Sequence, residues 1–150
     1  MSRILGIDFG TKRVGAAVSD AARQFASPLE VYDRRDPAQD ARHFKTVVEE
    51  NDVDRIVIGL PVHVGGQESR SSALARKWGD WLTHVTGVEV VYYDERYTTL
   101  EAEESLIEVG LKRSKRKGVR DMLAARILLQ NYLDDGAPDR PLPARSISDV

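Results

Sequence analysis

The sequence predicts an α/β layer structure, with helices on both faces of a sheet. Two observations predict it: two apolar runs, Arg3 to Phe9 and Arg13 to Ser19, open the chain as a hairpin, and strand and helix patterns then alternate almost to its end. A third is length, since 150 residues suit one domain with room for a sizeable core.

In the opening hairpin, Ile4-Leu5-Gly6-Ile7 runs into Asp8, and Gly10-Thr11-Lys12 turns the chain so that Val14, Ala16 and Val18 alternate beside it. Gln24 to Tyr32 reads as a third strand, which Pro28 pushes toward an edge or a bend. Pro37 to Asn51 reads as a helix with Ala41, Phe44, Val47 and Val48 on one face. Arg55 to Leu60 is an apolar strand stopped by Gly59-Leu60-Pro61. Ser71 to Val85 is amphipathic through Leu74, Trp78, Trp81, Leu82 and Val85, and Val88 to Tyr93 is a further strand. Thr98 with Glu101 forms a capping box for a helix through Val109, and a last helix is expected from about Val119 to Leu133. Gly136 to Val150 carries Pro138, Pro141 and Pro143 and reads as a loose, flexible tail behind a domain of residues 1–135.

Composition restricts the function. Hydrophobic residues make up 41% and charged ones 31%, as in a globular protein. A net charge of -2 means that any site for a polyanion must be local. The absence of cysteine excludes disulfides, thiolate zinc sites and cysteine nucleophiles. Met1-Ser2-Arg3 leads straight into a strand without a signal-peptide pattern, and no apolar run reaches membrane-spanning length, so a cytoplasmic protein with no membrane partner is expected.

The candidate chemistry lies at strand ends, where sites form in open α/β sheets. Asp8 ends a buried strand on a carboxylate, which needs compensation. Either a divalent metal supplies it, or hydrogen bonds from the Gly10 to Lys12 turn do. Asp94 and Glu95 follow another strand, and alternation allows only one of them to point as Asp8 does. Asp121 shares a helix face with Ala124, Ala125, Leu128 and Tyr132, so it faces the sheet unless it serves only the helix dipole. Three acids from two strands and a helix suit Mg²⁺ or Mn²⁺, as one ion or as two about 4 Å apart. Just before the last helix, Lys112-Arg113-Ser114-Lys115-Arg116-Lys117-Gly118-Val119-Arg120 concentrates positive charge where a phosphate backbone would reach those acids; a solvated loop is the alternative. Lys12 is a further candidate for a phosphate oxygen, against a plain turn lysine, and His63 for substrate contact or proton transfer, against an exposed loop histidine. Trp78 and Trp81 read as core in preference to a base-stacking platform.

Four linked segments resemble the YqgF family, also called RuvX-like, of Holliday junction resolvases and pre-16S ribosomal RNA nucleases. They are Ile7-Asp8-Phe9-Gly10-Thr11-Lys12-Arg13-Val14-Gly15, Gly59-Leu60-Pro61, Asp94-Glu95-Arg96-Tyr97-Thr98-Thr99, and Asp121-x-x-Ala124-Ala125 with Ile127-Leu128-Leu129. The resemblance runs in order up to Leu133. It implies a ribonuclease H-like fold with a mixed five-stranded sheet. It also implies a metal-dependent nuclease whose catalytic and metal-binding acids fall on Asp8, Glu95 and Asp121. Beside these, the reading of the residues leaves Lys12, His63, Lys115, Arg116 and Lys117 as candidate substrate contacts. The expected partner is nucleic acid, a structured RNA precursor or branched DNA, and a monomer or homodimer is expected. Two departures stand out: Val62-His63-Val64-Gly65-Gly66 replaces an expected Asn-containing stretch, and Arg120 precedes the helix acid where an apolar residue is usual.

Two rival functions remain at this stage. Asp8-Phe9-Gly10-Thr11 also resembles the first phosphate loop of the actin, Hsp70 and sugar-kinase ATPases, but those enzymes close two lobes on nucleotide and this length supplies one. The other rival is a nucleic-acid-binding module without cleavage.

Overall fold

The computed structural model describes residues 2–60, 70–94 and 113–138, with side chains in the last stretch from residue 120 onward. Five strands form one sheet: β1 (Arg3–Asp8), β2 (Arg13–Ser19), β3 (Ala26–Asp33), β4 (Val53–Leu60) and β5 (Glu89–Asp94). Their order is β3-β2-β1-β4-β5. The pairs β1–β2 and β2–β3 are antiparallel, while β1–β4 and β4–β5 are parallel, so the sheet is mixed. Three helices are described: α1 (Pro37–Glu50), α2 (Arg70–Thr86) and α3 (Arg113–Asp134).

Alternation along the central strands builds two cores. Leu5, Ile7, Ile56 and Ile58 point to one face, where Phe44 and Val47 of α1 and Ala75, Trp78 and Leu82 of α2 cover them. Ile4, Ala17, Val57 and Val91 point to the other, where Ala125, Leu129 and Tyr132 of α3 cover them. Ile58 and Leu129 are both fully buried, so truncating either to Ala would cost about 2–5 kcal/mol. Helices therefore lie on both faces, as the sequence predicts.

Pro28 sits in an edge strand and at a register shift. Ala16 pairs with Glu30 and Ala17 with Pro28, which leaves Leu29 as the extra residue of a bulge. Asp36 caps α1, accepting from the Gln39 N–H at 2.8 Å, and Pro37 follows it in the first turn. On α2 the buried face is Ser72, Ala75, Trp78, Gly79 and Leu82. Leu74, expected among them, is 49% exposed instead. The apolar stripe passes through Ala75, one residue further on.

The last helix differs most from the sequence reading. It begins at Arg113, not near Val119, so most of the basic stretch forms its first turns and not a preceding loop. Lys and Arg are good helix formers, and one Gly at position 118 costs only about 1 kcal/mol, so that glycine is no boundary. Its far end is tied down: Arg55 Nη1 donates to Tyr132 Oη and to the Ala137 carbonyl, and the Tyr132 hydroxyl donates to the Pro138 carbonyl. The expected helix from Thr98 to Val109 and the tail beyond Pro138 lie outside the described residues. Among the described residues, no helix is long and apolar enough to cross a membrane.

Candidate active site

The carboxyl ends of the parallel strands β1, β4 and β5 lie along one edge of the sheet, and Asp8, Leu60 and Asp94 are their last residues. Faces then separate the acids. Ile7 belongs to the core under α1 and α2, so Asp8, the next residue, points to the α3 side. Asp94 pairs in register with Leu60, a member of that same α1/α2 core, and so points away from Asp8. Glu95 lies outside the described residues.

Asp121 reaches the α3 side from above. In the β1–β2 ladder Asp8 is the register partner of Gly15. A Cβ built on Gly15 would stand 2.0 Å from the carbonyl oxygen of Asp121. The backbone of α3 thus rests directly on the strand beside Asp8, and only glycine permits it. A second close approach keeps the helix in line, since a Cβ on Gly6 would stand 2.7 Å from Leu129 Cβ. Gln130 pins the opposite edge, its Oε1 accepting from the Ala26 N–H and its Nε2 donating to the Gln24 carbonyl, both at 2.9 Å.

The Asp121 carboxylate is half-buried and already engaged. Arg13 Nε donates to its Oδ2 at 3.2 Å, from the first residue of β2. Arg13 lies two residues before Gly15 and therefore on the same face. An arginine beside a carboxylate offsets the repulsion two neighbouring acids would otherwise suffer.

The remaining candidates separate. Lys12 is exposed in the turn between β1 and β2. Arg34 braces that turn: its backbone N–H donates to the Lys12 carbonyl at 2.9 Å, and Nη1 donates to the carbonyls of Gly10 at 3.3 Å and Thr11 at 3.2 Å. Lys115, Arg116 and Lys117 fall in the opening turns of α3 by backbone, with side chains outside the described set, and His63 lies outside it altogether. Trp78 is core, packed between a tilted Phe9 ring and an edge-on Phe44 ring at centroid distances of 5.2 and 5.3 Å. Sequence reasoning missed Arg13 and Gly15. The signal for Gly15 was present: a glycine within an otherwise apolar strand marks a close backbone approach.

Hard-oxygen donors suit a divalent cation, and Asp8 and Asp121 supply two carboxylates to one face of one sheet edge. The pair fits such an ion. Among the described residues no group of three His, Asp or Glu side chains gathers.

Comparison with known proteins decides the family. The profile described as "RuvX: Holliday junction resolvase" matches residues 2–135. The chain belongs to this family. Among its curated relatives, a protein of Agathobacter rectalis is 42% identical over 135 residues, covering 88% of this chain and 94% of its own. One from Lactococcus lactis subsp. lactis is 41% identical over 135 residues, covering 89% and 94%. Both are provisionally named pre-16S rRNA nuclease. Of solved structures, RuvC of T. thermophilus in complex with a Holliday junction superposes with a TM-score of 0.58 at 20% identity, covering 95% of this chain and all of its own. A fowlpox virus resolvase bound to Holliday junction DNA gives 0.56 at 10% identity, covering 91% and 99%. At such identities these two establish the fold, which is ribonuclease H-like. RuvX-family membership makes the chain a hydrolase of phosphodiester bonds, in a fold class that generally depends on divalent metal.

Proposed function

We propose that this RuvX-family protein is a Mg²⁺- or Mn²⁺-dependent nuclease that acts in the cytoplasm on the 5′ end of pre-16S ribosomal RNA. The observation that carries this reading is the placement of Asp8 and Asp121 on one face of the sheet's carboxyl edge, where the backbone at Asp121 rests on Gly15, the ladder partner of Asp8. The curated relatives, similar over nearly their whole length, favour the RNA substrate.

Asp8 and Asp121, with Glu95 as the third acid, would hold the ion. When bound, the ion supplies an activated water and neutralises charge building on the scissile phosphate. Everything else falls to the chain. The β1 terminus fixes Asp8, and the Gly15 contact sets the height of α3 above it. Arg13 orients the Asp121 carboxylate through Oδ2 and adds positive charge beside the phosphate. The opening turns of α3, rich in Lys and Arg and carrying the positive end of the helix dipole, attract the backbone of the strand to be cut. Lys115, Arg116 and Lys117 act there. Lys12 contacts a phosphate from the β1–β2 turn, and His63 contacts substrate from the loop after β4. The domain spans residues 1–135, with 136–150 as a tail, and works as a monomer or homodimer.

A second reading is Holliday junction resolution, favoured by the description of the matching family. One experiment tests both: purified protein is offered a pre-16S 5′-leader RNA and a four-way DNA junction, each with Mg²⁺, with Mn²⁺ and with EDTA. Metal-dependent cleavage of the RNA is expected. Cleavage of the junction alone selects the second reading, and binding of both without cleavage leaves a non-cleaving module.

A further inference from the structure

On the other face of the sheet, beside the same turn, lies a cavity of about 330 Å³ that the metal chemistry does not use. Its walls are Phe9, Leu74, Trp78 and Trp81, and its rim carries Arg34, Arg35 and Lys77. The aromatic rings form a row, with Phe9 to Trp78 at 5.2 Å and Trp78 to Trp81 at 6.0 Å between centroids. Trp78 is 7% exposed and belongs to the core, whereas Trp81 is only half-buried and Leu74 is 49% exposed at the mouth. The lining acid, Asp40, is 3% exposed, and its Oδ1 already accepts from the Tyr32 hydroxyl at 2.7 Å and the Arg35 N–H at 2.9 Å. Arg34 stands 5.2 Å over the Phe9 ring and keeps a buried Nε–H without a partner among the described residues.

We propose that this cavity binds one unpaired nucleotide of the nucleic-acid substrate, with its base against Trp81 and its phosphate between Arg35 and Lys77. Flat apolar walls under a cationic rim match a base joined to a phosphate. A free phosphate would leave the walls uncovered, and an aliphatic ligand would leave the cations unused. A base inside a duplex cannot enter, so the nucleotide is unpaired. Position supports the same occupant. Asp8 and Phe9 are adjacent residues on opposite faces of the sheet, so a strand held at the acids reaches the cavity by passing round the Gly10–Thr11 edge. The inference rests on the nuclease reading for why a strand lies at this edge, and it assigns the site that selects unpaired over paired substrate there.

The test uses the full chain in EDTA, where cleavage plays no part. Tryptophan emission is followed while adenosine monophosphate, a single-stranded RNA ten-mer or a blunt RNA duplex is added. The mononucleotide and the single strand should quench emission and compete, and the duplex, even where it binds the basic turns of α3, should do neither. Trp81→Ala should weaken single-strand binding about tenfold, the scale of one base stacked on an aromatic ring. Lys77→Ala, at an exposed position that leaves the core untouched, should flatten the slope of log affinity against log salt by about 0.7. Unchanged affinity in both variants, or a duplex that quenches emission and displaces the mononucleotide as the single strand does, would overturn the proposal. So would an apolar dye in the cavity that aliphatic compounds displace and the mononucleotide does not. Because nothing is cut, a protein that binds the nucleotide yet never cleaves RNA or DNA would remove the nuclease reading and leave the pocket standing.

Discussion

Gly15 and Asp121 meet backbone to backbone: a Cβ on the glycine would lie 2.0 Å from the Asp121 carbonyl oxygen and 2.4 Å from its carbonyl carbon. Gly15 is also the ladder partner of Asp8, so this one contact sets the spacing of the two acids. Gly15→Ala must therefore lift α3 from the sheet. Overpacking of this kind costs about 1–3 kcal/mol, and cleavage should fall further than stability does, because the acids separate. Urea denaturation alongside a cleavage assay checks this. Wild-type values for both would mean that α3 does not rest on β2 at this point.

The Arg13–Asp121 pair yields a second prediction. Its side chains are 29% and 22% exposed, so the pair itself contributes within about 1 kcal/mol. Asp121→Ala should thus melt near wild type in EDTA while losing cleavage. Wild type should gain melting temperature on adding Mg²⁺, and Asp121→Ala should gain less. Arg13→Gln should gain more than wild type, since a cation then replaces the lost positive charge. Equal metal-induced shifts in all three proteins would remove Asp121 from the ion site.

A third prediction separates binding from chemistry. Replacing Lys115, Arg116 and Lys117 together with Ala should weaken RNA and DNA binding across sequences. It should also flatten the salt dependence of log affinity by roughly 0.7 to 0.9 per lost phosphate contact. Turnover at saturating substrate should change much less. Fluorescence anisotropy over a salt series gives the slope, and an unchanged slope with unchanged affinity would leave those turns without a substrate role.

Much of this arrangement is legible in the sequence because it depends on local periodicity. Alternation placed β2 in its final bounds and β1 to within one residue, since the expected strand ran to Phe9 and the observed one ends at Asp8, and helical spacing put Asp121 on the face that meets the sheet. Leu74 and the start of α3 were misread for a related reason. Helical spacing alone allowed a stripe through either Leu74 or Ala75, and the packing of α2 against α1, β4 and β5 decides between them. Gly118 looks like a boundary in isolation, yet a helix anchored through Ala125, Leu129 and Tyr132 carries it at small cost. Arg13 escaped notice because its partner is 108 residues away, and no local pattern reports a contact of that range.

The tyrosines predict behaviour at high pH. Burial first, then the neighbouring carboxylates Asp40, Asp80 and Asp135, push Tyr32, Tyr92 and Tyr93 each up to about 12 from 10. A raised folded-state value means stability that is fully present below pH 10 and lost as pH climbs from about 10 to about 12. Absorbance at the phenolate band should show these three ionising late, with the unfolding free energy falling over the same interval. Titration near 10 with flat stability would contradict the burial of these hydroxyls beside carboxylates.

The most direct test of the central claim is cleavage by Asp8→Asn, measured with Mg²⁺ and with Mn²⁺ on the leader RNA and the four-way junction, beside Glu95→Gln and Asp94→Asn. Asn keeps the shape of Asp8 and removes the charge that holds a metal. Asp8→Asn and Glu95→Gln should fold normally and cut neither substrate, while Asp94→Asn, whose side chain faces the opposite side of the sheet, should retain most activity. A folded Asp8→Asn that cuts at the wild-type rate, or an Asp94→Asn more damaged than Glu95→Gln, would contradict the account.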